Sequence, residues 1–305
     1  MIVIPAPVRP DLDCIGGAFA YAALLRSRGE EVAVWLSGTP DGEAQYYLDL
    51  YPQLSFVGDD VARAATAYVL VDISEPEPFP DWFDRAHVRQ IIDHRFPPKV
   101  AENFPNADIQ LEKVGAAATL VAEHVHKAGL VLPAELATML YGAIYSNTLC
   151  LKGPLATERD KAMAAWLLRD YPGAADHVAG QLRARGAEIL TDIDASLIAE
   201  MKFSTDDCRF GAYGFSQFEI SGGAAFWQQE KARIVEVFAR LPHPVVFNLI
   251  DLDTVESVIY ASDARYQQIL AAHFDGAGDT YYARPAKMRK EIAPLFRHET
   301  FAASA

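Results

Sequence analysis

Short apolar runs alternate with segments of helical periodicity through the N-terminal part of this chain. The runs at 2–4, 31–36, 67–72 and 88–93 predict strands, and helical spacing of apolar residues predicts helices at 14–28, 116–128, 133–145, 157–168 and 174–184. A short helix is predicted at 81–85, between the last two strands. Alternation of this kind is typical of an α/β fold with a parallel, doubly wound sheet. The fold class follows from this pattern before any single residue is considered.

Beyond residue 192 the pattern changes to mixed strands and helices. Strands are predicted within 209–220 and at 245–252 and 255–261, and helices at 224–241 and 265–274. Because 305 residues suggest about two domains, we predict a mostly parallel α/β domain at 1–185. A smaller mixed α+β domain is predicted at 192–305, with the boundary near 185–192.

The chain is acidic, with 27 Lys+Arg against 41 Asp+Glu and a net charge of −14. This charge argues against binding to a nucleic-acid duplex or to an anionic membrane. A small phosphorylated substrate remains compatible with it, since a metal-lined cleft can oppose the net charge locally. No apolar run approaches the length of a membrane span, and no signal peptide is evident, so a cytoplasmic protein is expected.

Acidic and imidazole side chains follow the ends of several predicted strands. Asp11 and Asp13 come after the first strand, Asp72 closes the run at 67–72, and Asp93 and His94 close the run at 88–93. An open α/β sheet binds ligands just beyond the carboxyl ends of its strands. These residues therefore predict a site for hard divalent cations in one crevice. Asp72 follows a buried run, where a carboxylate is costly unless it meets a cation or hydrogen-bond donors.

Two other interpretations of these residues remain open. The Asp11 and Asp13 pair could cap the following helix, since Asp is favoured at helix N-termini. The Asp93-His94-Arg95 run could form an ion-pair cluster at a strand end. In the functional interpretation, Asp93 orients His94 and the Arg95 guanidinium binds phosphate in a bidentate manner.

The motifs also resemble a known superfamily. Pro10-Asp11-Leu12-Asp13, the lone Asp72, Asp93-His94-Arg95 and the VGAAATL run at 114–120 resemble the four motifs of the DHH phosphoesterases. The stretch 140–166 is similar to the manganese-dependent (family II) inorganic pyrophosphatases, and the C-terminal part resembles their second domain, called DHHA2. Lys202 stands where those enzymes place a substrate-binding lysine, and Met288-Arg289-Lys290 stands where they carry Ser-Arg-Lys.

The resemblance implies two Mn2+ or Mg2+ ions between the domains, sharing a hydroxide that attacks phosphorus. It implies pairing of two chains into a homodimer as well. By motif, the metal ligands would be Asp11, Asp13, Asp72, His94 and Asn147, with Asp72 bridging. Asp72, Asp93 and His94 would be catalytic, and Arg95, Lys202, Arg289 and Lys290 would bind the substrate.

Three positions depart from the family's pattern. Pro7 replaces a metal-binding histidine, Asn147 replaces an aspartate ligand, and Arg95 replaces the second histidine of the Asp-His-His motif. Arg95 cannot act as a general acid near neutral pH. These changes are similar to those of prune-like and exopolyphosphatase-related members, and they leave open whether one or two ions bind.

The expected function is a divalent-metal-dependent phosphohydrolase that cleaves pyrophosphate or short polyphosphate in the interdomain cleft, with a metal-bound hydroxide as nucleophile. One alternative is a phosphodiesterase acting on a small nucleotide or oligonucleotide. The other is a degenerate, non-catalytic member that binds a metal or a phosphorylated ligand, which Pro7 and Asn147 favour.

Overall fold

The chain forms two compact units, Met1–Gln181 and Leu182–Ala305, each organised around one β-sheet. The computed structural model describes residues 1–6, 9–76, 79–205 and 208–297. Within those residues, no helix combines the length and apolar character that crossing a bilayer requires.

The first unit contains a parallel sheet surrounded by helices. Its strands are β1 (Ile2–Ala6), β2 (Val32–Leu36), β3 (Ala67–Val71), β4 (Val88–Asp93) and β5 (Asp108–Leu111). Its helices are α1 (Leu12–Ser27), α2 (Gly42–Leu50), α3 (Asp59–Arg63), α4 (Val100–Asn103), α5 (Ala117–Ala128), α6 (Ala134–Asn147) and α7 (Glu158–Asp170). The next helix, α8 (Ala174–Thr191), begins in this unit and ends in the second. The strand order is β2-β1-β3-β4-β5, and every pairing is parallel. The near-continuous apolar runs of β1 and β3 are buried, as expected for a parallel sheet covered by helices.

The second unit contains a mixed sheet with a core on each face. Its helices are α9 (Ile193–Ala199), α10 (Gly223–Ala239), α11 (Ala264–His273) and α12 (Arg289–Ile292), and its strands are β6 (Lys202–Ser204), β7 (Tyr213–Ile220), β8 (Val245–Asp251), β9 (Glu256–Ala261), β10 (Asp275–Ala277) and β11 (Thr280–Ala283). The strand order is β10-β11-β9-β8-β7-β6, with β7 and β8 parallel and the other pairs antiparallel. Alternation along β7 sends Phe218 to the core with α10 and Phe215 to the core with α11.

The predicted fold class, a parallel α/β unit followed by a mixed α+β unit, is confirmed. Local details differ. The helix predicted at 174–184 continues to Thr191 as α8, so it runs through the predicted boundary at 185–192. Residues 81–85 form no helix; a single 3-10 turn follows at Arg85–His87. The short edge strand β5 was not predicted, since its half-exposed residues lack the apolar run of a central strand.

Candidate metal site

The site residues follow adjacent strands in the middle of the first sheet. Strand β1 lies between β2 and β3, so the connections that leave β1 and β2 run to opposite sides of the sheet. The crevice at the carboxyl ends of β1 and β3 is therefore a topological switch point, where open α/β sheets bind ligands. Asp11 and Asp13 follow β1, Asp72 follows β3, and His94 follows β4.

The two carboxylates after β1 have different partners. Asp11 is the N-cap of α1 and accepts a hydrogen bond of 3.1 Å from the Cys14 backbone N–H. Asp13 is buried in the first turn, and its carboxylate oxygens accept hydrogen bonds of 2.9 and 2.7 Å from the backbone N–H groups of Ala117 and Ala118. The positive N-terminal end of α5 thus holds the Asp13 carboxylate in one orientation. Asp11 caps the helix, as one interpretation of the sequence expected, and its assignment as a metal ligand stays a prediction. Asp13 contacts a second helix.

Asp72 is a buried carboxylate in a constrained backbone. Its φ of 60° lies in the left-handed region, which L-residues adopt at a cost and which is common at functional sites. Its Oδ1 atom is buried and accepts no hydrogen bond from the described residues. Burial, and then the charge of Asp13, raise the pKa of Asp72 well above the ordinary carboxyl value. A cation at this position would relieve that penalty.

His94 presents one ring nitrogen to these carboxylates. Its Nδ1 lies 3.1 Å from the carbonyl oxygen of Val114, which can only accept, so Nδ1 carries the proton of the neutral ring. The Nε2 lone pair then faces Asp72 Oδ1 at 3.5 Å and Asp13 Oδ2 at 3.9 Å. One ligand atom from each of these three side chains lies within 4.8 Å of the others. Two carboxylates and an imidazole are donors that suit Mn2+, so this cluster fits a divalent ion.

Asp93 makes different contacts. It is fully buried and accepts hydrogen bonds from the Ser74 hydroxyl (2.5 Å), the His94 backbone N–H (2.6 Å), and the backbone N–H and Nε of Arg95 (3.0 and 3.2 Å). These contacts fix the loop after β4 and hold the Arg95 side chain. A direct catalytic role of Asp93 stays a prediction.

The comparison with known proteins identifies the family. Residues 1–144 match the sequence profile of the DHH family, N-terminal domain. Residues 1–144 therefore form a DHH-family N-terminal domain. The matched DHH segment runs from β1 into α6 and contains all three side chains of the Asp13, Asp72 and His94 cluster.

Relatives of this DHH chain include named pyrophosphatases. It is similar to a probable manganese-dependent inorganic pyrophosphatase of Enterococcus faecalis, with 30% identity over 197 residues that make up 61% of this chain and 63% of the relative. This match therefore spans less than two thirds of that relative's length. A probable manganese-dependent inorganic pyrophosphatase of Bacillus licheniformis is 28% identical over 273 residues, or 85% of each chain.

A solved structure has the same fold over nearly the whole chain. The crystal structure of the Methanococcus jannaschii putative family II inorganic pyrophosphatase covers 97% of this chain and 98% of its own. The TM-score is 0.70 at 21% sequence identity. This likeness extends the shared fold beyond the DHH segment into the second unit.

The DHH site depends on a residue that was not predicted, Asp160. Its buried carboxylate accepts hydrogen bonds from the Gly115 backbone N–H (3.0 and 2.9 Å), the Thr119 hydroxyl (2.5 Å) and the Thr157 backbone N–H (2.7 Å). It thereby fixes segment 114–118, which supplies the acceptor for His94 and the donors for Asp13. A Cβ on Gly115 would lie 2.4 Å from the Thr148 side chain, so the close approach requires glycine. The capping box of Thr157 and Asp160 was the available sequence signal.

Three further residues bear on the interpretation of this site: Pro7, Asn147 and Cys14. Pro7 lies outside the described residues. Asn147 is the last residue of α6, and its side-chain amide donates to the Ala143 carbonyl at 3.3 Å. Its assignment as a ligand stays a prediction. Burial, followed by the charges of Asp72 and Asp11, raises the pKa of Cys14 well above the ordinary thiol value, which disfavours a thiolate at this position.

Two of the predicted substrate-binding cations of the second unit contact the same strand, β7, through their backbones. Lys202 in β6 pairs with Phe215 of β7. The backbone N–H of Arg289 donates to the Gln217 side chain at 2.7 Å, two residues further along β7, and Lys290 follows in α12. Tertiary structure therefore brings Lys202 and the segment that contains Arg289 and Lys290, which are far apart in sequence, to the same strand of this unit.

Proposed function

We propose that this chain is a manganese-dependent phosphohydrolase that cleaves a phosphoanhydride, with pyrophosphate or a short polyphosphate as substrate. The observation that carries the proposal is the cluster of Asp13, Asp72 and His94 at the switch point of the parallel sheet. The names of its relatives, manganese-dependent inorganic pyrophosphatases, support the choice of ion and substrate.

In this proposal Asp13, Asp72 and His94 hold the ion. The N–H groups at the start of α5 orient Asp13, and the Val114 carbonyl keeps the proton of His94 on Nδ1, so Nε2 is available as a ligand. When bound, the ion supplies a Lewis acid that lowers the pKa of water and stabilises charge on phosphoryl oxygens.

Cations of the second unit are proposed to neutralise the phosphate groups. Lys202, Arg289 and Lys290 offer ammonium and guanidinium donors, and phosphate oxygens accept charge-assisted hydrogen bonds from such groups. Lys202 and Arg289 both contact β7 through their backbones, which supports a shared role in substrate binding. This second unit is proposed to be a DHHA2-like domain, with bounds near 192–305.

The test is phosphate release from a substrate panel. Purified protein with Mn2+ is expected to release phosphate from pyrophosphate or tripolyphosphate, and chelation of the ion should abolish this release. His94→Gln should lower release to the level of the chelated protein, whereas His87→Gln, on the surface before β4, should not change it.

Other outcomes of the panel decide between the alternatives. Hydrolysis of a nucleotide phosphodiester without release from any phosphoanhydride would replace the proposal with a phosphodiesterase. Binding of Mn2+ with no turnover of any substrate would show a non-catalytic metal-binding member.

A further inference from the structure

The Arg95 guanidinium lies next to Oδ1 of Asp72, the same oxygen that His94 approaches within the metal cluster. Arg95 Nη2 is 3.3 Å from Asp72 Oδ1, the atom that His94 Nε2 approaches at 3.5 Å. The same nitrogen also donates to the backbone carbonyl of Asp72. One buried carboxylate oxygen thus meets an imidazole lone pair on one side and a permanent positive charge on the other.

This contact is held in place by further residues. Asp93, which is fully buried, accepts hydrogen bonds from the backbone N–H and the Nε of Arg95, and its other oxygen is fixed by the Ser74 hydroxyl. Burial lowers the pKa of Arg95, but the charges of Asp72 and Asp93 outweigh it and raise that pKa. The guanidinium is therefore always charged and is directed at Asp72 by its neighbours.

We infer that Arg95 acts as a built-in counter-ion at Asp72, in the place of a second divalent ion, so that this site takes one Mn2+ per chain. The inference rests on the proposed function and departs from the two-ion arrangement that the family resemblance implies. Its physical reason is electrostatic, since a fixed charge beside Asp72 repels a divalent ion and neutralises part of the carboxylate that would bind it. In this role Arg95 acts through Asp72 and is not itself a ligand of the ion.

The test is titration of the metal-free protein with Mn2+, followed by electron paramagnetic resonance and equilibrium dialysis, without substrate. The wild-type chain should bind one ion and give the spectrum of an isolated ion. Arg95→Gln removes the charge while keeping a hydrogen-bond donor for Asp93, and it should bind the first ion at least about tenfold more tightly, even with the screening of bulk water. Arg95→Lys should restore the wild-type affinity.

Arg89→Ala is the matched control. Arg89 lies in β4, the strand that precedes Arg95, and pairs with Glu30 at 2.7 Å, so that substitution should leave Mn2+ binding unchanged. Two bound ions with exchange-coupled signals in the wild-type protein would overturn the inference. An Arg95→Gln protein, shown to be folded by circular dichroism, with wild-type affinity would overturn it as well.

The titration separates this inference from the proposed function. One tightly bound ion without phosphate release would refute the phosphohydrolase and leave the role of Arg95 intact. Phosphate release by a protein that binds two ions would refute the role of Arg95 and leave the proposed phosphohydrolase intact.

Discussion

At the scale of single residues, the site concentrates several unfavourable features on Asp72. It combines a left-handed backbone, a buried oxygen with no hydrogen bond from the described residues, and a neighbouring carboxylate at Asp13. Features of this kind persist where function requires them, because stability alone would remove them. Burial and Asp13 outweigh the attraction of the nearby Arg95, so the remaining cost at Asp72 is an argument for a bound metal ion.

Replacing Asp72 by Asn tests this directly. The amide removes a buried charge for which burial and repulsion by Asp13 outweigh the attraction of Arg95, and Asn tolerates the left-handed backbone. The metal-free variant should therefore unfold at a higher temperature, by an amount corresponding to about 1 kcal/mol. The same change should abolish tight Mn2+ binding. Differential scanning calorimetry with and without Mn2+ checks both effects.

Asp170 provides the control for this substitution. It is exposed, and its Arg169 partner lowers its pKa, so Asp170→Asn should not stabilise the protein or alter metal binding. A destabilised Asp72→Asn protein that still binds Mn2+ would show that Asp72 is a structural residue.

At the scale of secondary-structure elements, the geometry of the cluster depends on the segment between β5 and α5. Asp160 of α7 holds Gly115, and the neighbouring residues of the segment contact His94 through Val114 and Asp13 through the first turn of α5. Helix α7 contributes no ligand to the cluster of Asp13, Asp72 and His94, yet it fixes the segment that orients two of its members.

Asp160→Ala should be strongly destabilising. It leaves the buried Gly115 N–H and Thr119 hydroxyl without their acceptor, and the loss of such a network costs about 3–5 kcal/mol. Chemical denaturation gives this free energy. The control Glu158→Ala, on an exposed position of the same helix, should change it by less than about 0.5 kcal/mol. Equal changes in the free energy of unfolding of the two variants would show that Asp160 does not hold this network.

At the scale of the whole molecule, the proposed roles divide between the two units. The cluster that fits a metal ion lies entirely in the first unit, and the predicted phosphate-binding cations lie in the second. Metal binding and substrate binding should therefore respond to different substitutions.

Lys202→Ala and Arg289→Ala should each raise the KM for pyrophosphate about tenfold or more, because a charge-assisted contact to the substrate is lost. Mn2+ stoichiometry should stay unchanged in both variants. Steady-state kinetics and metal analysis check the two expectations. Arg240→Ala, which removes an exposed arginine of the same unit, should leave KM unaltered. An unchanged KM in both variants would refute a substrate role for these residues.

Much of the fold could be predicted from the sequence because its elements have strong local signals. The apolar runs that became β1, β3 and β4 are buried central strands, and the long helices end within a few residues of their predicted limits, except α8. The short edge strands β5, β6 and β10 were missed, since exposed residues at a sheet edge carry little periodic signal.

The sequence by itself determined the order of elements and placed carboxylates and an imidazole at the ends of parallel strands. Tertiary structure decided which of them meet. In the folded chain Asp11 caps α1, and Asp13 lies beside Asp72 and His94. Asp93 bonds to Ser74 and Arg95, and Asp160 of α7 holds the segment that orients the cluster. These contacts join segments far apart in the chain, as in the hydrogen bond from Ala117 to Asp13, so packing of distant elements fixes them and local periodicity does not.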